Sequence, residues 1–323
     1  MDDLSGKKLS DALQELQGTR FSFELLPPPK GRDIRYIYER IDPLMEFEPL
    51  YINVTYHQEE VVYRQVGEGL LERRTVWKRP GTVAISAAIQ HRYKVMVVPH
   101  LICGGFTKEE TENALIDLNF LGIRNVLAVR GDPPRGVGAF VPEKGGHAHA
   151  LDLVRQIVDM NRGVYLDPEL QEPSATDFCV GVAGYPEKHA EAPNFESDLH
   201  FLKEKVDAGA EFIVTQMFFD NRKFFEFERR CREAGITVPI IPGLKPLSTK
   251  RQLTLLPSTF HINLPEELVK EVLKCKDDRQ VYEVGIEWGI AQTRELIAHG
   301  VPVVHFFTMG KADNVRRIAA ETF

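Results

Sequence analysis

The sequence has no apolar run that approaches the ~18 residues needed for a membrane-spanning helix. Its first residues, Met1-Asp2-Asp3, also lack the basic and apolar regions of a secretory signal peptide. We therefore expect a cytoplasmic protein that has no membrane among its partners.

Cysteine is scarce, and no metal-binding signature accompanies it. The four cysteines are far apart and form no Cys-x-x-Cys pair, so neither a zinc site nor a dense disulfide framework is indicated. The ten histidines contain no His-Glu-x-x-His arrangement, and the nearest pair, His147 and His149, follows two loop-forming glycines. We expect reduced structural thiols and no resident metal.

An excess of positive charge is also absent. Forty Lys and Arg residues stand against 47 Asp and Glu residues, which gives a net charge of −7. Nucleic acid binding depends on a positive field, so we expect no nucleic acid partner.

The material for a large globular core is present. Hydrophobic residues make up 43% of the 323 residues and charged residues 27%. This length fits one α/β barrel with insertions. Eight short apolar runs recur along the chain: 21–25, 51–55, 95–101, 125–129, 178–183, 211–216, 238–242 and 301–307.

Helical segments alternate with these runs. The periodicity predicts helices over 108–121, 197–208 and 222–234, each followed by a glycine that favours a helix end. Eight alternating strand and helix units predict a (β/α)8 TIM barrel, a single domain over residues 1–323. Three stretches fit the repeat poorly and are predicted to be long excursions: the charged and irregular 57–80, then 133–146 and 166–176.

In a parallel barrel, the active site lies where the strands end. Every predicted strand delivers a polar side chain there: Glu24, Thr55, His100, Arg130-Gly131-Asp132, Tyr185 with His189, Gln216, Lys245 and His305.

Several of these residues are compatible with more than one role. The apolar surroundings of Glu24 suit a carboxyl that keeps its proton and acts as a general acid, while an ion-paired or solvent-facing glutamate is equally compatible. Asp132 could direct a negative charge at a bound ring, or form a local turn with Arg130. His100 and His189 could bind a metal, transfer protons or donate hydrogen bonds. Neither a Gly-x-Gly-x-x-Gly fingerprint nor a Gly-x-Ser-x-Gly elbow is present at the relevant strands.

An ordered set of motifs resembles the methylenetetrahydrofolate reductases. The set covers nearly every strand, from about Phe21 to Thr308: Phe21-Ser-Phe-Glu24, Val54-Thr55-Tyr56, Pro99-His100-Leu101, Arg130-Gly131-Asp132, Tyr185-Pro-Glu-x-His189, Thr215-Gln216-x-Phe-Phe-Asp220, Asp207-Ala-Gly-Ala210 and Ile241-Pro-Gly243.

The resemblance implies a barrel that holds FAD without a covalent bond and reduces 5,10-methylenetetrahydrofolate to 5-methyltetrahydrofolate. NADH or NADPH would reduce the flavin first and leave before the folate binds, a ping-pong sequence that feeds methionine synthesis. Glu24 matches the family's acid, and Asp132 matches a residue beside the flavin pyrimidine edge. FAD contacts carry over to Thr55, His100, Arg130, Gly131, Asp132, Tyr185, His189, Asp198 and Lys205; folate contacts carry over to Glu24, Gln216, Gln252 and Leu256.

The sequence departs from some members of the family. Leu256 stands where some bacterial members carry a phenylalanine that changes place between ligands, and 57–80 is longer than in some of them. The chain ends soon after the eighth strand and its helix, so we expect no regulatory domain of the kind that follows the barrel in animal relatives. We also expect a homo-oligomer. The alternative from another class is a metal-dependent lyase or hydrolase that uses His100, His189 and Asp132; a non-enzymatic assembly subunit ranks last.

Overall fold

The structure is a computed structural model that describes residues 3–133, 139–310 and 312–323. Its strands are β1 (Arg20–Leu25), β2 (Tyr51–Val54), β3 (Glu60–Gly67), β4 (Leu70–Val76), β5 (Met96–Ile102), β6 (Asn125–Val129), β7 (Cys179–Gly184), β8 (Phe212–Thr215), β9 (Ile240–Ile241), β10 (Gly243–Leu244) and β11 (Val303–Phe307).

Helices follow most of the strands. They are α1 (Leu9–Glu15), α2 (Arg35–Ile41), α3 (Thr82–Tyr93), α4 (Lys108–Phe120), α5 (Ala150–Asn161), α6 (Phe195–Asp207), α7 (Asn221–Glu233), α8 (Gln252–Phe260), α9 (Glu266–Lys274), α10 (Asp278–His299) and α11 (Asp313–Thr322), with a 3-10 helix at Asp42–Phe47. The three helices predicted from periodicity agree with α4, α6 and α7 to within two residues at each end.

Nine strand segments pair in parallel in the order β10-β11-β1-β2-β5-β6-β7-β8-β9. The two ends of this sheet, β9 and β10, are separated in the chain by Pro242 alone, so they are two halves of one barrel strand. Pro242 has no N–H to donate, but its carbonyl oxygen accepts a hydrogen bond from the His305 backbone N–H at 2.9 Å. The sheet therefore closes, and the predicted (β/α)8 barrel is confirmed.

Alternation along the strands separates two cores. In β1, Phe21 and Phe23 face outward into the large cluster between the sheet and the helices. Inside the barrel, a second cluster fills the end where the strands begin. Helix α1 covers that end, because Leu9, Ala12 and Leu13 belong to this inner cluster. The end where the strands finish is left to polar side chains.

The prediction of an irregular excursion over 57–80 was wrong in one respect. Residues 60–76 form an antiparallel hairpin, with Glu60 opposite Val76 and an irregularity between Gln65 and Gly67. The sequence hides the hairpin because its apolar side chains, Tyr63, Val66, Leu70 and Leu71 among them, are exposed and do not alternate regularly with polar ones, so the pattern of a half-buried strand is missing. The excursion at 166–176 has no helix or strand. Part of the excursion at 133–146, residues 134–138, lies outside the described residues.

Candidate functional site

Glu24 and His100 face each other inside the barrel at the strand ends. Their side chains are 15% and 12% exposed, and Glu24 Oε2 lies 3.7 Å from His100 Nε2. Burial raises the pKa of the Glu24 carboxyl to about 8. Burial, with a smaller contribution from His57, lowers the pKa of His100 to about 3. At neutral pH the carboxyl is therefore protonated and the imidazole neutral, so the contact is not an ion pair.

Thr55 lies at the end of the next strand and joins the rim to the excursion that carries the hairpin. Its backbone N–H donates to the Leu25 carbonyl oxygen at 3.1 Å, and its hydroxyl lies 3.3 Å from His57 Nε2. Beyond it, Gln58 Nε2 donates to the backbone oxygen of Asp132 at 3.0 Å. The excursion is thus attached to two strand ends of the rim.

The Arg130-Gly131-Asp132 turn ends β6. The Arg130 guanidinium makes a bidentate ion pair with Glu191, at 2.5 and 2.8 Å, so its partner is not Asp132 as in a local Arg–Asp turn. Gly131 has φ of 85°, and an added Cβ would lie 3.3 Å from the Ile102 Cβ. Only glycine adopts this conformation without strain at such a close approach. Asp132 is exposed at the rim.

A second group of side chains follows β7. The Tyr185 and His189 rings meet edge to face, with centroids 4.7 Å apart. Asp198, in the first turn of α6, accepts a hydrogen bond from the His189 backbone N–H at 2.9 Å. Lys205 donates from Nζ to the Ala183 carbonyl oxygen at 3.0 Å. Burial lowers the pKa of Lys205 to about 8, against the opposing effect of Asp198.

The electrostatic neighbours of these groups show that the sequence-predicted residues converge. Charges on Asp132, Arg130 and Asp198 all act on Tyr185, and Arg130, Asp198 and Lys205 all act on His189. Residues from β6, β7 and α6 therefore share one region of the rim. This region holds two cations, Arg130 and Lys205, beside the carboxylates of Asp132, Glu191 and Asp198.

The described residues contain no membrane-spanning candidate and no metal cluster. None of the described helices is long and apolar enough to cross a bilayer. Within the described ranges, no three His, Cys, Asp or Glu side chains come together as a group that could hold a metal ion.

A family model described as methylenetetrahydrofolate reductase matches residues 8–322 of the chain. The chain belongs to the methylenetetrahydrofolate reductase family. This confirms the resemblance that the strand-end motifs indicated.

Two relatives illustrate the range of the family. Methylenetetrahydrofolate reductase (NADH) 1 of Arabidopsis thaliana is 34% identical over 306 residues, which cover 90% of this chain and 46% of the relative. The chain thus spans about half the length of that relative. The 5,10-methylenetetrahydrofolate reductase of Escherichia coli strain K12 is 32% identical over 307 residues, which cover 94% of this chain and 91% of the relative.

A solved structure supports the fold. It is an uncharacterized protein from Clostridium thermocellum that binds two copies of 5-methyl-5,6,7,8-tetrahydrofolic acid. The TM-score is 0.57 at 14% identity, and the likeness covers 97% of this chain and 98% of that one. At this identity, the likeness bears on the barrel alone.

Three residues that the family resemblance assigned to the folate have other contacts in the structure. Gln216 Oε1 accepts a hydrogen bond from the Met217 backbone N–H at 2.9 Å. Gln252 Oε1 accepts from the backbone N–H groups of Ser248 and Thr249, at 2.7 and 3.1 Å. Leu256 is 1% exposed and packs in the third apolar cluster, among residues of α8, α9 and α10. Their folate contacts stay predictions.

Sequence reasoning missed two members of the site region. Glu191, the partner of Arg130, lies in a loop without a recognisable motif, so nothing local marks it. Asn53 lies at the centre of an otherwise apolar strand, opposite Glu24 in the parallel pairing of β1 with β2. A polar residue inside such a strand was the available signal.

Proposed function

We propose that this chain reduces 5,10-methylenetetrahydrofolate to 5-methyltetrahydrofolate with electrons from NADH or NADPH, through bound FAD and in a ping-pong sequence. One observation carries the proposal: a chain of this family places Glu24, whose side chain is only 15% exposed, at the open end of its barrel, where burial raises the pKa of the carboxyl to about 8. The product would feed methionine synthesis.

Glu24 would act as the proton donor. Opening the methylene bridge breaks the bond between the methylene carbon and the nitrogen between pteridine and benzoate, and that nitrogen needs a proton as it leaves. The product of this step is an iminium, and hydride addition to its carbon gives the methyl group. A carboxyl with a pKa of about 8 still carries its proton at neutral pH and can transfer it to a correctly placed nitrogen.

His100 supports this role without competing for the proton. Its pKa of about 3 keeps the imidazole neutral, so it adds no positive charge that would favour ionisation of Glu24. The low exposure of both side chains also limits proton exchange with water.

The rim fits FAD, which would supply the hydride-transfer chemistry when it is bound. The cations Arg130 and Lys205 would hold its diphosphate, with His189 and Asp198 beside the ribose. Gly131 would contribute its backbone, which follows the turn against Ile102 that only glycine adopts without strain. Thr55, His100 and Tyr185 complete the set at the strand ends. Asp132, exposed on this rim, would place a negative charge near the flavin and help to stabilise the cationic iminium.

The remaining expectations accompany the proposed activity. We infer a cytoplasmic homo-oligomer whose partners are the folate and the nicotinamide, with Gln216, Gln252 and Leu256 toward the pterin. NADH is the donor in the name of the Arabidopsis relative, and either nicotinamide is compatible with an open flavin face.

An anaerobic stopped-flow experiment tests the proposal. Purified protein is mixed with NADH or NADPH, the flavin absorbance is followed, and the reduced protein is then mixed with methylenetetrahydrofolate. We expect reduction in the first step and reoxidation in the second. In the Glu24→Gln variant, the first step should keep its rate and the second should fall at least ~100-fold. Folate turnover near the wild-type rate would remove Glu24 as the donor, and a colourless protein that binds zinc instead would support a metal-dependent enzyme.

A further inference from the structure

A sealed layer of polar side chains lies beside and beneath Glu24. Ser22, Tyr51, Asn53 and His305 are each 0% exposed. Parallel pairing places Ser22 opposite His305 and Asn53 opposite Glu24, and paired residues of neighbouring strands point to the same face. All four therefore face the barrel interior: Asn53 lies on the level of Glu24, and Ser22, Tyr51 and His305 lie one level deeper.

Only some of the polar atoms in this layer have hydrogen-bond partners within the protein. Ser22 Oγ hydrogen-bonds His305 Nδ1 at 2.9 Å, and the Tyr51 ring stacks on the His305 ring with centroids 5.6 Å apart and planes 10° apart. Among the described residues, however, no hydrogen-bond partner is found for either polar atom of the Asn53 amide, or for Nε2 of His305 and of His100.

Four unpartnered polar atoms in one part of the barrel are costly. A buried donor or acceptor without a partner costs about 1–3 kcal/mol, and native proteins satisfy such groups with ordered water where side chains do not reach. The cluster toward the closed end of the barrel is apolar, with Leu9, Leu13 and Val303 among its members. Water in this layer would therefore have the polar atoms and the Glu24 side chain as its neighbours.

We propose that Asn53 and His305 hold internal water beneath Glu24, and that this water is a hydrogen-bonding floor that positions the carboxyl and tunes its affinity for its proton. Asn53 and His305 are positioning residues in this role. The catalytic importance of the floor rests on the proposed function; its existence does not.

The charges around Glu24 determine the direction in which internal water shifts the pKa of its carboxyl. His100 lies at 3.7 Å, and burial together with His100 lowers the pKa of His305 to about 3. Both imidazoles are therefore neutral at working pH. His57 acts on His100 from the excursion, and Lys245 follows β10, the strand that pairs with β11. Water beneath Glu24 can donate hydrogen bonds to the ionised carboxylate, so the floor lowers the pKa of Glu24 relative to a dry interior.

Three variants test the floor. Asn53→Leu keeps the size of the side chain and removes its hydrogen bonds, whereas Asn53→Ser keeps a polar group and leaves room for water. Val98→Ala is the matched control, because Val98 lies opposite Asn53 in the pairing of β2 with β5 and its truncation perturbs the same level without removing a polar atom.

The main measurement is the protonation of Glu24 by infrared spectroscopy of its carboxyl C=O band, assigned by its loss in Glu24→Gln. We expect Asn53→Leu to raise the midpoint of the Glu24 titration by about one pH unit, a tenfold change in its proton affinity. Asn53→Ser and Val98→Ala should leave this midpoint near the wild-type value. An unmoved midpoint in Asn53→Leu, or an equal shift in Val98→Ala, would overturn the proposal.

Two further measurements separate this proposal from the proposed function. A high-resolution crystal structure should show water within hydrogen-bond distance of the Asn53 amide and His305 Nε2, and a dry layer there would also overturn the proposal. The pH profile of flavin reoxidation by folate should shift with the infrared midpoint, while flavin reduction by the nicotinamide should not. If folate fails to react in the wild type while the infrared shift is present, the floor stands and the proposed substrate is wrong.

Discussion

Burial raises the pKa of the Glu24 carboxyl and thereby makes the stability of the folded protein depend on pH. The carboxyl has a pKa of about 8 in the folded protein and close to 4.5 in the unfolded chain. The folded state therefore binds a proton that the unfolded state has released, and the free energy of unfolding falls as pH rises from about 4.5 to about 8. Above about pH 8 both states are ionised, and the loss is complete.

We expect Glu24→Gln to stabilise the protein in a pH-dependent way. The gain in the free energy of unfolding should grow between pH 5 and pH 8 and level off above, reaching on the order of 1–4 kcal/mol. Urea unfolding at several pH values measures it. A gain that does not vary with pH would show that Glu24 has an ordinary pKa.

Lys205 and Lys203 offer a matched pair on α6. Lys205 is buried beside β7 and donates to the Ala183 carbonyl oxygen, whereas Lys203 pairs with Asp207 along the helix. Because only Lys205 lies among the rim residues, we expect Lys205→Met to weaken FAD binding by about tenfold or more, the value of one charge-assisted contact. Lys203→Met should stay within about twofold, since an exposed helical ion pair contributes little.

Fluorescence titration of the apoprotein with FAD measures both affinities. Equal losses in the two variants would place the diphosphate away from Lys205. Circular dichroism confirms that the helix is retained in each variant.

At the scale of elements, the β3–β4 hairpin stands apart from the barrel. Its exposed side chains include Tyr63, Val66, Leu70 and Leu71. Its base is fixed by an edge contact between the Tyr56 and Trp77 rings, with centroids 6.2 Å apart, and by bonds from 78–79 to the loop after β1. Among the described residues, none of the three apolar clusters includes a residue of the hairpin.

Replacing residues 60–76 with a short Gly-Ser linker should therefore leave the barrel folded. We expect the melting temperature to change by less than ~3 °C, because little apolar burial is lost. Differential scanning calorimetry measures this, and a collapse of the melting temperature would show that the hairpin is part of the core. Light scattering and the two half-reactions of the same variant decide whether the hairpin builds a subunit contact or covers the site.

At the scale of the whole molecule, α1 covers the end of the barrel opposite the site. Leu9 is 0% exposed within the inner cluster, and its backbone N–H donates to Asn125 Oδ1 at 2.6 Å. Asn125 Nδ2 in turn donates to the Lys7 carbonyl oxygen at 2.9 Å. The helix is thus joined to β6 by two hydrogen bonds and by packing.

Leu9→Ala should lower the free energy of unfolding by about 2–5 kcal/mol, the usual cost of a large-to-small change in a core. The control Leu255→Ala removes a leucine that is 43% exposed and should cost less than ~1 kcal/mol. Urea unfolding compares the two variants. Equal costs would mean that α1 does not seal the inner cluster.

The positions and the ends of the barrel strands could be predicted from the sequence because the signals for them are local. Alternating apolar runs, helix-ending glycines and polar strand ends each depend on a few neighbouring residues, and together they predicted the barrel, its closure and the convergence of Glu24, His100, Arg130 and Tyr185. The hairpin was not readable, since its two strands bury neither face.

The sequence by itself determined which residues stand at the ends of the strands, and membership of the family followed from their order. Only the tertiary structure decided what surrounds them: Glu191 as the partner of Arg130, the strand divided at Pro242, and the sealed layer of Asn53 and His305 under Glu24. These features depend on contacts between segments far apart in the chain and on the depth at which barrel closure buries each side chain. The protonation of Glu24 belongs to this second group, because desolvation is a property of the closed barrel.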